Sequence, residues 1–118
     1  MISRAEYDIA LKVVKTYNSQ NTLSTKEQHL LFAEKITNVF DVDMEMIKSG
    51  DRKREIGDVR MVIVAFLYRR FKGIKDYQIG KVVNRHRTSV IHSKNKFAYM
   101  KQYSEIKEMV RKVELEIN

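Results

Sequence analysis

Apolar residues recur at helical spacing along most of the chain, and no segment alternates strictly between apolar and polar residues. This pattern predicts helices throughout and no strands. The first series predicts an amphipathic helix over residues 4–19 and comprises Tyr7, Ala10, Leu11, Val14 and Tyr17. Ser24 and Glu27 then have the spacing of a capping box, so a second helix should begin there. Its predicted apolar face comprises Leu31, Phe32, Ile36, Val39 and Phe40.

The middle of the chain predicts a short helix followed by a long one. Asp43 is a candidate cap for the short helix, and Gly50 is a candidate stop. The long helix is expected from about Arg54 to Lys72, with Gly73 ending it. Its predicted core face comprises Val59, Ile63, Phe66, Leu67 and Phe71.

Residues 75–118 predict three further helices. The segment "KDYQIGKVV" is a compact helix closed by Asn84, a residue type that tolerates left-handed backbone geometry. The next helix is expected to start near Arg85 or His86 and to end at about Lys101. On a helical wheel its apolar side comprises Val90, Ile91, Phe97 and Ala98. Ser104 can cap a last helix, whose inward residues are Ile106, Val110, Val113 and Ile117.

The chain length and composition predict one all-α domain. A chain of 118 residues with 43% apolar residues can bury a core without disulfides. We expect the domain over residues 25–118, with residues 1–24 as an N-terminal helical extension that could bind a protein partner or self-associate. The absence of cysteine suits a reducing interior. There is no apolar run of the roughly 18 residues that a membrane span needs, so we expect a cytoplasmic protein without a membrane partner.

The positive charge of the chain is concentrated in one segment. The net charge is +8, but residues 51–103 hold fourteen basic and four acidic side chains, a net of +10. The segments before and after each have a net charge of −1. Such a concentration is the electrostatic signature of a polyanionic partner.

Catalytic and metal-binding motifs are missing from the sequence. There is no phosphate-binding loop, dinucleotide-binding glycine motif, H-E-x-x-H or G-x-S-x-G. The three histidines are His29, His86 and His92, and no cysteine or nearby acidic pair completes a ligand set. We therefore predict no enzyme activity, no metal site, no cofactor and no bound nucleotide.

The stretch "NRHRTSVIHSK" has a basic, hydroxyl-bearing face. Arg85, Thr88, Ser89, His92 and Lys96 fall on the polar side of the wheel, with no acidic residue among them. Arg87 leans toward the apolar side and could reach a ligand only from the tip of the helix. Such a face is typical of a helix that reads DNA. With the short helix before it, and Gly80 allowing a close crossing, the segment predicts a helix-turn-helix.

Three separated blocks resemble, in order, the C-terminal DNA-binding domain of the bacterial replication initiator DnaA. They are "DRKREIGDVR", "QIG" and "NRHRTSVIHSK", and the upstream "LLFAEKITNVFDVDMEMIKS" is similar to the first helix of that domain. The resemblance covers about residues 28–115. It implies a free-standing copy of the DNA-binding module without the ATPase part.

The resemblance also implies roles for individual residues. Expected major-groove base contacts are Arg85, His86, Arg87, Thr88 and Ser89, and Arg52 is expected in the minor groove. We also expect phosphate contacts within residues 51–103, beyond those that the resemblance covers, and the full set is Lys53, Arg54, Arg60, Lys75, Lys81, His92 and Lys96. His86 stands where the family has aspartate, and Arg87 where it has histidine, so the DNA sequence that is read should differ.

The predicted function is sequence-specific binding of double-stranded DNA. The expected setting is the nucleoid, in the control of replication or transcription of a bacterial, phage or mobile-element genome. One alternative is a protein–protein adaptor that binds an acidic partner through the same basic face. Another is an RNA-binding domain, although no interleaved aromatic residues point to base stacking.

Overall fold

The computed structural model describes residues 23–50 and 52–117, and every regular secondary-structure element within them is a helix. The helix predicted over residues 4–19 lies outside these ranges. The described helices are α1 (Thr25–Val39), α2 (Met44–Lys48), α3 (Arg54–Arg70), α4 (Asp76–Val83), α5 (Arg87–Met100) and α6 (Ser104–Ile117). No strand occurs in these ranges, which confirms the all-α prediction.

Local capping residues set several of the helix ends as predicted. The Ser24 hydroxyl accepts the Glu27 N–H at 3.2 Å, and the Glu27 carboxylate accepts the Ser24 N–H at 2.9 Å. The backbone N–H and, to a smaller extent, the hydroxyl of Ser24 lower the pKa of the Glu27 carboxyl by hydrogen bonding to it. Asp43 caps α2 by accepting the Met46 N–H at 2.9 Å. Asn84 closes α4 in the left-handed conformation, at φ 57° and ψ 51°. Each cap satisfies backbone groups that the helix leaves unpaired.

Other helix ends differ slightly from the predicted positions. Helix α5 begins at Arg87, because His86 serves as its N-cap with extended backbone. Helix α3 ends at Arg70, and the chain turns through Gly73 at φ +83°. Helix α6 begins at Ser104 itself rather than after it. These differences of one or two residues are ordinary for helix ends.

The core is one cluster of buried apolar side chains to which all six described helices contribute. The predicted face of α3 is confirmed, since Val59, Ile63, Phe66 and Leu67 are all buried, while Phe71 is partly buried. On α6, Ile106 and Val113 are buried, and Val110 and Ile117 pack partly against the core. Helix α3 is the central element, because it contacts each of the other five helices.

The predicted apolar face of α1 was wrong at one position. Leu31 is 43% exposed, whereas His29, Ala33 and Thr37 are buried beside Phe32 and Ile36. The buried stripe of α1 is therefore rotated relative to the predicted one. His29 belongs to the buried stripe because its ring packs edge-on against Phe71, with ring centroids 4.7 Å apart. Its burial lowers the pKa of His29.

The predicted apolar side of α5 was also too wide. Ile91 is 42% exposed and Ala98 is exposed, and Val90 is the only residue of α5 that is buried. Phe97 is partly buried. The reason is tertiary: α5 packs mainly on α3 and α4, while α6 packs on α1 and α3. One side of α5 is thus covered and the rest faces solvent.

None of the helices that the structure describes is long and apolar enough to cross a membrane.

Candidate nucleic-acid interface

A three-residue turn over residues 84–86 sets the angle between α4 and α5. The Arg85 N–H donates to the Gly80 carbonyl at 2.8 Å, folding the turn back onto α4. A β-carbon at Gly80 would collide with the Arg85 carbonyl oxygen and would lie 3.5 Å from the Val90 side chain. Gly80 therefore allows the turn and the start of α5 to lie directly against α4.

The guanidinium of Arg85 is held by carbonyl groups of the protein. It donates to the carbonyls of Ser49 at 2.6 Å and Asn84 at 2.9 Å, with longer contacts of 3.4 Å to Lys48 and 3.5 Å to Val83. Two of these carbonyls lie at the carboxyl end of α2. The base contact predicted for Arg85 would require it to leave them.

Two neighbouring side chains hold the same end of α2. The Asn84 amide donates to the Lys48 carbonyl at 3.1 Å, and the Nε of Arg60 donates to the Ile47 carbonyl at 2.9 Å. Helices end with carbonyls that lack a partner within the helix, and arginine donors satisfy them. The sequence placed Arg60 among the phosphate contacts, and the structure places its Nε on the backbone.

His86 acts as the N-cap of α5. Its Nδ1 accepts the Thr88 N–H at 3.1 Å and lies 3.0 Å from the Thr88 hydroxyl. Because Nδ1 is the acceptor, the ring proton of the neutral imidazole is on Nε2, which leaves one N–H donor facing away from the cap. The sequence predicted a base contact here but did not predict the capping bond.

The first turns of α5 present an exposed polar tip. Arg87, Thr88 and Ser89 are all exposed, and so is His92 one turn further on. Arg87 is the first helical residue, so it lies at the end of α5, and it is exposed although the wheel leaned it toward the apolar side. We call Arg87, Thr88 and Ser89, together with the His86 cap, the α5 tip.

A cleft of about 500 Å³ lies between the start of α3 and α5. Cationic side chains make up most of its lining, and we call it the basic cleft. It is lined by Gly50, Arg52, Lys53, Arg54, Gly57, Asp58, Arg60, Arg85 and Lys96. The fold thus brings the basic stretch that begins α3 next to Arg85 and Lys96, which lie 25 or more residues further along the chain.

One half-buried carboxylate lies within the basic cleft. Burial raises the pKa of Asp58, and the nearby cations of Arg54 and Lys96 oppose this rise. The Nε of Arg54 is 3.9 Å from Asp58, and its Nη2 is 2.7 Å from Glu105 at the start of α6. Arg54, predicted as a phosphate contact, is therefore shared between two carboxylates in this structure. The pair with Glu105 is exposed, and exposed ion pairs are weak, so a polyanion can displace it.

Lys75 precedes α4 and Lys81 lies on it, and neither of these predicted phosphate contacts lines the basic cleft. Lys75 is the N-cap residue of α4, and its N–H donates to the Gln78 side chain at 2.7 Å. Lys81 lies 5.6 Å from the centre of the Tyr77 ring. It lines a separate cleft of about 340 Å³, together with Lys26 and Lys48. Of the predicted phosphate contacts, Lys81 alone lines this second cleft, and Lys75 and His92 line neither cleft.

Sequence reasoning missed a contact that fixes α5 in place. Lys94 forms an ion pair with Asp76 at 2.7 Å, and its ammonium lies 4.2 Å from the centre of the Tyr68 ring. This links α5 to both α4 and α3. The pairing joins residues 18 positions apart in sequence, so no local spacing rule would have found it.

The part of the chain that the structure describes contains no group of three or more histidine, aspartate or glutamate side chains placed to hold a metal ion. Comparisons with protein-family models, with curated proteins and with solved structures found no match for the chain.

Proposed function

We propose that this protein binds double-stranded DNA in a sequence-specific way, with α4, the turn and α5 acting as a helix-turn-helix. The observation that carries the proposal is the position of an exposed, hydrogen-bonding α5 tip close to a cleft lined by cations. A helix of this kind enters the major groove by its N-terminal end. The three blocks that resemble the DnaA DNA-binding domain support the same arrangement and a role in replication or transcription control.

Under this proposal some residues of the site contact base edges and others contact the sugar–phosphate backbone. Arg87, Thr88 and Ser89 carry donors and a methyl group suited to base edges, and arginine pairs best with guanine O6 and N7. Arg52, Lys53 and Lys96 in the basic cleft contact the sugar–phosphate backbone, with Arg52 reaching the adjacent minor groove. Arg52 is exposed at the mouth of the cleft, which suits that role.

The test begins with binding of the wild-type protein to a randomised duplex pool, followed by a salt titration on the selected site. We expect log K to fall by about 0.9 for each phosphate neutralised. Single-stranded DNA and RNA of the same sequence should bind more weakly. A salt slope near zero, or equal binding to all three nucleic acids, would refute the proposal.

The second experiment distinguishes the residue proposed to contact base edges from the residue proposed to contact the backbone and minor groove. Arg87→Ala should relax the preference at one or two base pairs, since a good base contact is worth roughly 1–3 kcal/mol of discrimination. Arg52→Ala should reduce any preference for an A·T-rich flank, because narrow A·T tracts attract arginine. Arg111→Ala is the matched control, since Arg111 is an exposed arginine of α6 that pairs with Glu108 three residues earlier. Unchanged preferences in the first two variants would contradict the assignment of these residues.

A further inference from the structure

Helix α3 contains a glycine that the packing of the described residues does not explain. Gly57 lies in the first turns of α3, and its N–H donates to the Lys53 carbonyl at 3.0 Å. Glycine inside a helix is destabilising relative to alanine, so it usually has a local reason. At Gly80 that reason is the neighbouring turn. A β-carbon at Gly57, by contrast, would meet no atom within 4 Å.

A ligand bound beside Gly57 would supply such a reason. Gly57 is partly exposed and lines the basic cleft, where α3 presents bare backbone between the cations at the start of α3 and Lys96 of α5. A glycine that leaves backbone uncovered is common where a ligand must approach the chain closely. The surrounding guanidinium and ammonium groups require that ligand to be anionic.

We propose that Gly57 is the point at which one strand of a DNA duplex comes closest to the protein, with its phosphodiester backbone lying against the bare turn of α3. This inference rests on the proposed function and adds an affinity-determining residue that carries no charge. The cations on the two sides of the cleft, Arg52 and Lys96, then contact successive parts of one strand. A chain of phosphates fits such a two-sided arrangement better than a single small anion does.

A side chain at position 57 would hold the strand away from these cations without harming the fold. Gly57→Ala should raise the melting temperature, because alanine favours the helix and meets no neighbour. It should also weaken duplex binding by about threefold, and Gly57→Leu by about tenfold or more, because phosphate contacts supply much of the affinity. The sequence preference should stay the same, since phosphate contacts carry no base information.

The experiment measures melting temperature and duplex affinity for the wild type, both Gly57 variants and Asn38→Ala. Asn38 is exposed on α1 outside the basic cleft, so its replacement by alanine also favours a helix but should leave binding unchanged. Wild-type affinity in both folded Gly57 variants would overturn the inference while leaving the proposed function standing. Failure of the wild type to bind any duplex would overturn both. Displacement of the duplex by millimolar inorganic phosphate at constant ionic strength would show a single-anion site instead.

Discussion

Arg85 offers the sharpest test of how the site is built, because sequence and structure assign it different roles. As a base-reading residue it should affect sequence preference. As a residue held by carbonyls it should affect the stability of the fold and the position of α5. We expect Arg85→Ala to destabilise the protein, to weaken binding to all duplexes about equally and to leave the sequence preference unchanged.

The expected loss of stability in Arg85→Ala follows from the geometry of the Arg85 hydrogen bonds. Of the four contacts, those to Ser49 at 2.6 Å and Asn84 at 2.9 Å are short, and those at 3.4 and 3.5 Å add little. A hydrogen bond from a charged group contributes about 1.5–3 kcal/mol. Because the two short bonds are exposed and their carbonyls can rehydrate, we expect a total loss of about 1–2 kcal/mol. That corresponds to a fall in melting temperature of roughly 4–16 °C for a domain of this size.

The assay pairs thermal unfolding with site selection, and Arg87→Ala is the matched comparison at the exposed tip. Thermal unfolding followed by circular dichroism should show the loss in Arg85→Ala and almost none in Arg87→Ala. Site selection should show the opposite ranking, with altered preference only in Arg87→Ala. A stable Arg85→Ala protein with a changed preference at one base pair would refute the structural role and restore the base contact predicted from sequence.

Three further predictions concern single side chains. Gly80→Ala should lower the melting temperature. Overpacking against the Arg85 carbonyl costs about 1–3 kcal/mol, which is more than the gain in helix propensity. A melting temperature at or above that of the wild type would contradict this prediction. Since burial lowers the pKa of His29, its contribution to stability is present above about pH 6.5 and is lost as the pH falls through the lowered folded-state value. Urea unfolding at pH 7 and 5 should therefore show a smaller loss for His29→Leu than for the wild type, and equal losses would exclude the effect. Asp58→Asn should strengthen duplex binding at pH 7, because it removes a carboxylate from the basic cleft. If fluorescence anisotropy shows unchanged or weaker binding, DNA phosphates do not lie in that cleft.

Features that depend on near neighbours in the chain were predicted well. The capping pair Ser24 and Glu27, the Asp43 cap and the left-handed Asn84 each depend on residues within a few positions, so spacing and residue type were sufficient. The core face of α3 was also predictable, because a helix surrounded by other helices buries a wide and regular stripe. The concentration of positive charge at the candidate site was predicted by counting charged residues along the sequence.

Features that depend on which helices meet could not be predicted in this way. Leu31 and Ile91 fit a helical apolar pattern, yet both are largely exposed, because the pattern does not say which side a neighbouring helix will cover. Likewise, Arg85 lies in a polar stretch of the sequence, but its guanidinium donates hydrogen bonds to carbonyls 36 and 37 residues earlier in the chain. Local sequence fixes the conformation of a segment through short-range bonds and sterics, whereas the partner of a side chain depends on how distant segments pack. The candidate site is therefore recognisable as basic and polar from its residues, but the contact of Arg85 with the end of α2 and the cleft between α3 and α5 appear only once these helices are packed together.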